Sequence, residues 1–230
     1  MQAAEAGRWR FKAPEMEGAI ARWYAGIRGS DRQIQSYREQ AAQLTNGLAA
    51  GSRVLEVAPG PGYLAIEIAR LGTFEVTGMD ISRTFVEIAS ENVLKAKVTA
   101  AFRQGDAAQM PFDDSSFDLV ICQAAFKNFN RPSTALCEMF RVLRAGGTAV
   151  IDDMSHEATH ADIAEEVRGM GLGRVSSFTT TATLEMLRRR AYSRVQFETL
   201  VGNSPFKTCT ISTAGIGLRV RLTKPGVAVA

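Results

Sequence analysis

The chain is poor in the residues that usually mark metal or redox chemistry. Its 230 residues include three cysteines (Cys122, Cys137 and Cys209) and only two histidines (His156 and His160). The cysteines form no CxxC pair and no metal-ligand spacing, so buried free thiols in a reducing compartment are expected. No HxH pair or carboxylate triad points to a metal, and metal independence is expected. No apolar run is long enough to span a bilayer. The start, MQAAEAGRWRF, lacks the apolar segment of a secretory signal, so a soluble cytoplasmic protein is expected. There is no internal repeat and no low-complexity linker. Strong charge of either sign is also missing: the net charge is +3, and Lys and Arg are spread along the chain. The densest basic cluster, Arg188-Arg189-Arg190, reads as a solvated helix face, and no nucleic-acid partner is expected.

What is present is an ordinary globular composition, 46% hydrophobic and 22% charged, in a length that suits one domain or one domain with a cap. From residue 53 onward, strand and helix signals alternate. SRVLEV enters a glycine-bearing turn, and YLAIEIARLG follows as an amphipathic helix. FEVTGMD and TAAFRQGD are strands ending in acids, separated by a helix over 84–97. DDSSFDLVICQ leads into a fourth strand, STALCEMFRVLRAGG is a helix stopped by its Gly pair, and TAVIDDM is a fifth strand. This rhythm predicts a parallel sheet with helices on both faces. KTCTIST and GLRVRLTK predict a terminal antiparallel hairpin. Residues 1–49 are expected to form a helical cap on a domain over 50–230, and 155–190 a lid insertion after the fifth strand.

The turn between the first strand and its helix, EVAPGPG, decides among ligands. Ligands of open α/β sheets bind outside the carboxyl ends of the strands, so this turn is the place to look. A P-loop would need a Lys and a Ser or Thr that are absent here. A dinucleotide GxGxxG turn would need glycine at three positions occupied by Ala58, Gly60 and Tyr63. An S-adenosyl ligand fits better. It carries no phosphate, needs close backbone approach at Gly60 and Gly62, and places an ammonium where Glu56 supplies an acid. Asp80, ending the second strand about 18 residues on, suits a ribose diol, and Gly105-Asp106-Ala107 suits an adenine. Each acid also has a plainer reading: Glu56 as a helix cap, Asp80 as a turn acid, Asp106 as an N-cap.

EVAPGPG, GMDIS, GDAAQMPFDDSSFDLV and EMFRVLRAGGTAVI, in that order, resemble the class I S-adenosylmethionine-dependent methyltransferase superfamily over about residues 50–154. The resemblance implies an α/β, Rossmann-like sheet of seven strands with the last antiparallel, and S-adenosyl-L-methionine as cofactor. It implies cofactor contacts at Glu56, Ala58, Gly60, Gly62, Asp80, Ile81, Gly105, Asp106, Ala107 and Gln123, with Tyr24 closing over the ligand from the cap. The superfamily prefers glycine where this chain has Ala58, and alanine is expected to fit there if its φ is negative. Arg28 is placed to reach a carboxylate, while Trp23 is expected to pack between cap and domain.

Methyl transfer is an in-line displacement in which alignment does much of the work. After the fourth strand the chain reads QAAFKNF, not the amide-methylating pattern of nucleic-acid and protein N-methyltransferases. Its FKNF is similar to the Arg-Asn of quinone-biosynthesis C-methyltransferases, with Lys127 in place of Arg. An inward Lys127 would repel a sulfonium unless an anion lay between, so an acidic acceptor is expected, oriented by Asn128. The alternative is that Lys127 is solvated and Asn128 caps a turn. The candidate bases are Asp152 or Asp153, which end the fifth strand, and His156 or His160 just after it. The spacing of His156 and His160 would place them on one helix face, although an exposed acidic helix start with Ser155 as N-cap is the preferred reading of both. Met170, Phe178 and Met186 fit an apolar lid or a helix core. The expected function is methyl transfer to O or C of a small, partly apolar molecule. A nicotinamide-dependent oxidoreductase and a cofactor-binding module without chemistry stay open, as does homo-oligomerisation.

Overall fold

The computed structural model describes residues 16–226. The first fifteen residues of the expected cap, including the segment read against a signal peptide, lie outside the described residues. Helices α1 (Gly18–Arg28) and α2 (Asp31–Thr45) precede β1 (Arg53–Val57), α3 (Tyr63–Arg70), β2 (Glu75–Asp80), α4 (Arg83–Ala96), β3 (Ala101–Gln104) and β4 (Phe117–Gln123). A single 3-10 turn (Phe126–Asn128) leads to α5 (Pro132–Val142) and β5 (Leu143–Met154). The helical pair α6 (His160–Gly169) and α7 (Arg174–Arg188) follows, then α8 (Arg194–Gly202), β6 (Thr210–Ala214) and β7 (Gly217–Thr223).

The strands form one seven-stranded sheet in the order β3-β2-β1-β4-β5-β7-β6. Neighbours from β3 to β5 run parallel, and β7 runs antiparallel to both β5 and β6. The expected terminal hairpin is therefore inserted with its second strand against β5. The strand order reverses between β1 and β4, which makes their carboxyl ends the switch point.

Both faces of the sheet are covered, which explains why strands such as VLEV and LVICQ read as near-continuous apolar runs. One face buries Leu55, Val57, Val120, Cys122 and Ile151 against Leu136 and Met139 of α5 and Phe197 and Val201 of α8. The other buries Val54, Leu119, Ile121 and Val150 against Leu64 and Ile68 of α3 and Tyr37, Ala41 and Leu44 of α2. Each such side chain contributes about 1.5–3 kcal/mol when fully buried. The segment expected to cap the domain is thus divided: α2 belongs to a face of the sheet, and only α1 lies outside it, packed on α4 through Ala21, Ala25, Tyr24, Phe85 and Ile88.

The inward face of α1 is made of alanines and Tyr24, and the 3.6-residue period turns Trp23 outward. It is 68% exposed, so it does not pack between cap and domain. Two helix boundaries also differ from expectation. Helix α5 ends at Val142, ahead of the Gly pair, where the Lys224 ammonium accepts the role of C-terminal cation by donating to the carbonyls of Phe140 and Leu143. Gly146 and Gly147 then lie within β5, where the register with β4 shifts; a Cβ on Gly147 would meet the Asp118 carbonyl at 3.0 Å. Helix α6 starts at His160 under a capping box between Thr159 and Asp162, not at Ser155. His156 therefore lies before the helix, and the two histidines do not share a helix face. Phe178 of α7 is 77% exposed and none of that helix is buried, which excludes a helix core as the role of its apolar residues.

Candidate active site

Glu56 sits one residue before the end of β1, with a residual exposure of 3%. Its Oε2 accepts the amide of Ala65, in the first turn of α3, at 2.9 Å. The capping reading of Glu56 is thus realised, and one oxygen remains. Among the described residues no buried side-chain oxygen lacks a partner, so Oε1, which accepts nothing from the protein, opens on solvent. Burial away from water pushes the Glu56 carboxyl up to about 8; the Ala65 amide opposes the shift and the charge of Asp80 adds to it.

The turn itself is tightly held. The Ala58 amide donates to the Met79 carbonyl at 2.7 Å, and that of Gly62 to the Pro59 carbonyl at 3.1 Å. Ala58 has φ +57°, in the left-handed region. The expectation of a negative φ fails here, because the chain must reverse sharply to bring the turn back over β2. The glycines divide in role. Gly60 has φ +55° and open space around a hypothetical Cβ, so its backbone is approachable. At Gly62 a Cβ would lie 2.8 Å from Phe102 and 2.9 Å from Ala89, so the missing side chain makes room for packing. Gly105 likewise makes room for the Met79 sulfur, at 2.7 Å from its would-be Cβ.

Asp80, buried at the end of β2, accepts the Gly60 amide on Oδ2 and the Ser82 amide on Oδ1, each at 2.9 Å. Its carboxyl is pushed above its ordinary range, chiefly by burial, with both amides opposing. It therefore fixes the turn, and only its remaining lone pairs are left for a ligand. Ile81 beside it is partly exposed, with its carbonyl accepting from Gln104. Asp106 accepts the Ala108 amide on Oδ1 and pairs with Arg131 on Oδ2, each at 2.8 Å, while Ala107 leans on the sheet core. Gln123, ending β4, donates to Gln40 of α2. Tyr24 packs edge-on against Phe85 with ring centroids 5.9 Å apart.

The residues expected to act on the acceptor are rearranged most. The Lys127 ammonium lies 2.7 Å from Asp153 Oδ1, with side chains 5% and 1% exposed, and it also donates to the Ala124 carbonyl. The Asp153 carboxylate further accepts the backbone amides of Lys127 at 2.8 Å and Met154 at 2.7 Å. Lys127 is neither solvated nor waiting for an acid: the anion it needs is supplied by the chain. Asn128 is exposed in the 3-10 turn, with its amide on the Ala125 carbonyl. Asp152 faces the other side of β5, where it makes a bidentate pair with Arg219 at 2.8 and 2.7 Å. His156 Nδ1 lies 3.1 Å from the Arg188 carbonyl and His160 Nδ1 2.8 Å from Glu185, so both histidines tie the root of the insertion to the end of α7.

Sequence reasoning passed over Asp153 as the partner of Lys127, because the two are 26 positions apart. It also passed over Tyr37 and Gln40, although their place with Ala41 and Leu44 on the inner face of α2 is a period-3.6 signal.

A family model described as a methyltransferase domain matches residues 55–151. The demethylmenaquinone methyltransferase of Deinococcus radiodurans is 38% identical over 100 residues, 43% of this chain and 42% of that protein. The 27-O-demethylrifamycin SV methyltransferase of Amycolatopsis mediterranei is 33% identical over 158 residues, 64% of this chain and 58% of that protein. The chain thus spans about half the length of the curated relatives it matches. Among solved structures, a SAM-dependent methyltransferase from Aquifex aeolicus aligns with a TM-score of 0.66 at 15% identity, covering 88% of this chain and 97% of that one. The [4+2]-cyclase SpnF aligns with a TM-score of 0.58 at 17% identity, over 84% of this chain and 82% of that one, so the fold alone does not name a reaction. The sequence matches over β1 to β5 make residues 55–151 a methyltransferase domain, and the fold around them is one shared with S-adenosylmethionine-dependent methyltransferases.

Proposed function

We propose that the chain transfers a methyl group from S-adenosylmethionine to a carbon or oxygen centre of a small, partly apolar molecule. The observation that carries this reading is the constellation at the switch point: a buried acid with one oxygen facing solvent, an approachable Gly60 and an Asp80 holding the turn. These residues fit an S-adenosyl ligand. Glu56 Oε1 suits an ammonium, Gly60 permits close approach, and the remaining Asp80 lone pairs suit a ribose diol. Pro59 and Pro61 have no N–H to offer a phosphate, which disfavours a dinucleotide. When bound, the donor supplies an electrophilic methyl group on a sulfonium. The chain's part is to orient the donor and to exclude water around the reacting pair.

An acidic acceptor is no longer required by charge, because Asp153 balances Lys127. The Lys127–Asp153 pair instead supports a positioning role, setting the wall that follows β4. The names of the relatives support a quinone-type C-methylation, and that of the 27-O-demethylrifamycin SV methyltransferase supports an O-methylation. Helix α1 as a cap, 155–190 as a lid over the acceptor, and a cytoplasmic location remain part of the same proposal. Among the described residues, no helix is long and apolar enough to cross a membrane.

The test is transfer of labelled methyl from S-adenosylmethionine to demethylmenaquinone and to a panel of phenolic compounds. Label in an organic-extractable product supports the reading, and its position distinguishes C from O transfer. No labelled product from any of them, together with no binding of the donor, contradicts it.

A further inference from the structure

We infer that the outward faces of α1 and α7 form a docking surface for an anionic lipid membrane, placed around the end of the sheet where the site lies.

Both helices turn their large apolar side chains away from the protein. On α1 the buried face is Ala21 and Ala25. At about 100° per residue, Ile20, Trp23 and Ile27 fall together on the opposite face, each more than half exposed. On α7 the half-buried positions include Ser177, Thr181, Leu184 and Arg188. Val175, Phe178, Ala182 and Met186 share the opposite, exposed face, with Val175 at 79%. A helix that packs on its own domain buries its apolar stripe, and these two leave it to solvent. Single exposed apolar residues are ordinary, whereas ordered stripes on two helices mark an interaction surface.

The stripes belong to one end of the molecule. Helix α1 is fastened to the start of α4, beyond the carboxyl end of β2, where Glu17 accepts the amides of Arg83 at 2.9 Å and Thr84 at 3.1 Å. Helices α6 and α7 follow the carboxyl end of β5. Arg32, in the first turn of α2, donates to the carbonyl of Gly169, the last residue of α6. The corner between α1 and α2 therefore stands beside the corner between α6 and α7, where Leu172 is exposed as well.

Basic residues frame both stripes. From Gly18 to Arg32 the chain has Arg22, Arg28 and Arg32 against Asp31. From Gly169 to Arg190 it has Arg174, Arg188, Arg189 and Arg190 against Glu185. Arg22, Arg174 and Arg189 are exposed and make no ion pair among the described residues. The sequence before α1 repeats the composition, alternating Arg8, Arg10 and Lys12 with Trp9 and Phe11. Helices that set arginine beside Trp, Phe and aliphatic side chains lie in the plane of a bilayer interface. Anionic headgroups there meet the charge, and the acyl boundary takes the apolar stripe. A second copy of the chain would instead bring like-charged surfaces together.

The experiment is co-sedimentation of the full chain with vesicles of phosphatidylcholine alone and of phosphatidylcholine mixed with phosphatidylglycerol. Neither donor nor acceptor is present, so the outcome is independent of the methyl-transfer reading. Binding to the mixed vesicles is expected, with little to phosphatidylcholine alone, and it should fall as salt is raised. Trp23→Ser and Phe178→Ser should each weaken binding about 10-fold, the order of one large apolar side chain leaving an interface. Their melting temperatures should stay at the wild-type value, because both side chains are already exposed. Replacing Arg174 and Arg189 together by Gln should narrow the difference between the two kinds of vesicle. Absence of vesicle binding overturns the proposal, as does binding that both Ser variants retain in full, which would place it in the residues before α1. A Trp23→Ser variant that lowers the sedimenting mass in solution and keeps its vesicle binding would identify a second copy as the occupant, and overturns it too.

Discussion

Lys127 and Asp153 form an ion pair of 2.7 Å that is almost sealed from water, at the point where β4 gives way to the 3-10 turn. The same carboxylate holds two backbone amides, so the pair shapes the chain as well as balancing charge. Phe126 beside it is fully buried among Phe129, Tyr192 and Phe197, which pins the turn from below. Removing one partner of such a pair leaves an uncompensated buried charge, at a cost of about 3–5 kcal/mol. Lys127→Met and Asp153→Leu are each expected to lower the melting temperature by roughly 10 °C for a domain of this size. The double variant should recover much of the loss. A simple sum of the two losses would show that the residues do not act as a pair.

Ala58 holds a left-handed conformation that costs an alanine about 1–2 kcal/mol. Glycine there relieves the strain but gives back about 0.5–1 kcal/mol through its freer unfolded chain. Ala58→Gly is therefore expected to stabilise the protein slightly, by about 0.5–1 kcal/mol in urea unfolding. Ala58→Val, branched at Cβ, should destabilise it by about 2 kcal/mol or more. A glycine variant less stable than wild type would show that the strain is absent.

Glu56 makes stability depend on pH in a defined direction. Its carboxyl is raised from 4.5 to about 8, so the folded protein holds a proton that the unfolded chain has released. The associated stability is fully present below pH 4.5 and is lost as pH rises through 8, with a limit on the order of 5 kcal/mol. The ligand-free melting temperature should fall between pH 5 and 8, and Glu56→Gln should flatten that fall. Affinity for S-adenosylhomocysteine should rise over the same interval, since its ammonium favours the ionised acid. An unchanged slope in the Gln variant would remove Glu56 from the account.

Gly29 separates α1 from α2 under the Tyr63 ring, where a Cβ would stand 2.5 Å from the Tyr63 hydroxyl. Gly29→Ala is expected to break the bond from Tyr63 to Ala25, worth about 1 kcal/mol, and to loosen α1. Adding Tyr63→Phe removes the clashing atom, so the double variant should be more stable than the sum of the single losses. Additive losses would place the effect elsewhere.

The alternation of strands and helices was legible because covered sheet strands and one-sided helices leave distinct apolar periods. The acids proposed for the cofactor were legible for the same reason: Glu56 and Asp80 interrupt apolar runs at strand ends. The conformation of Ala58 was not, since residue type sets a preference and the close return over β2 sets the angle. The pairing of Lys127 with Asp153 was hidden because β4 and β5 meet only when the sheet forms. Trp23 misled through its size, whereas the small Ala21 and Ala25 marked the true inner face of α1. At the start of α6, Ser155 was read as the cap by type, whereas Thr159 has the reciprocal Asp162 three residues on.

The central claim is that the turn after β1 binds an S-adenosyl ligand and not a dinucleotide. Calorimetric titration with S-adenosylmethionine, S-adenosylhomocysteine and NAD(H), on the wild type and on Asp80→Ala, tests it most directly. The account predicts binding of both sulfur ligands, weakened in the variant, and none of NAD(H). Binding of NAD(H) without either sulfur ligand would contradict it.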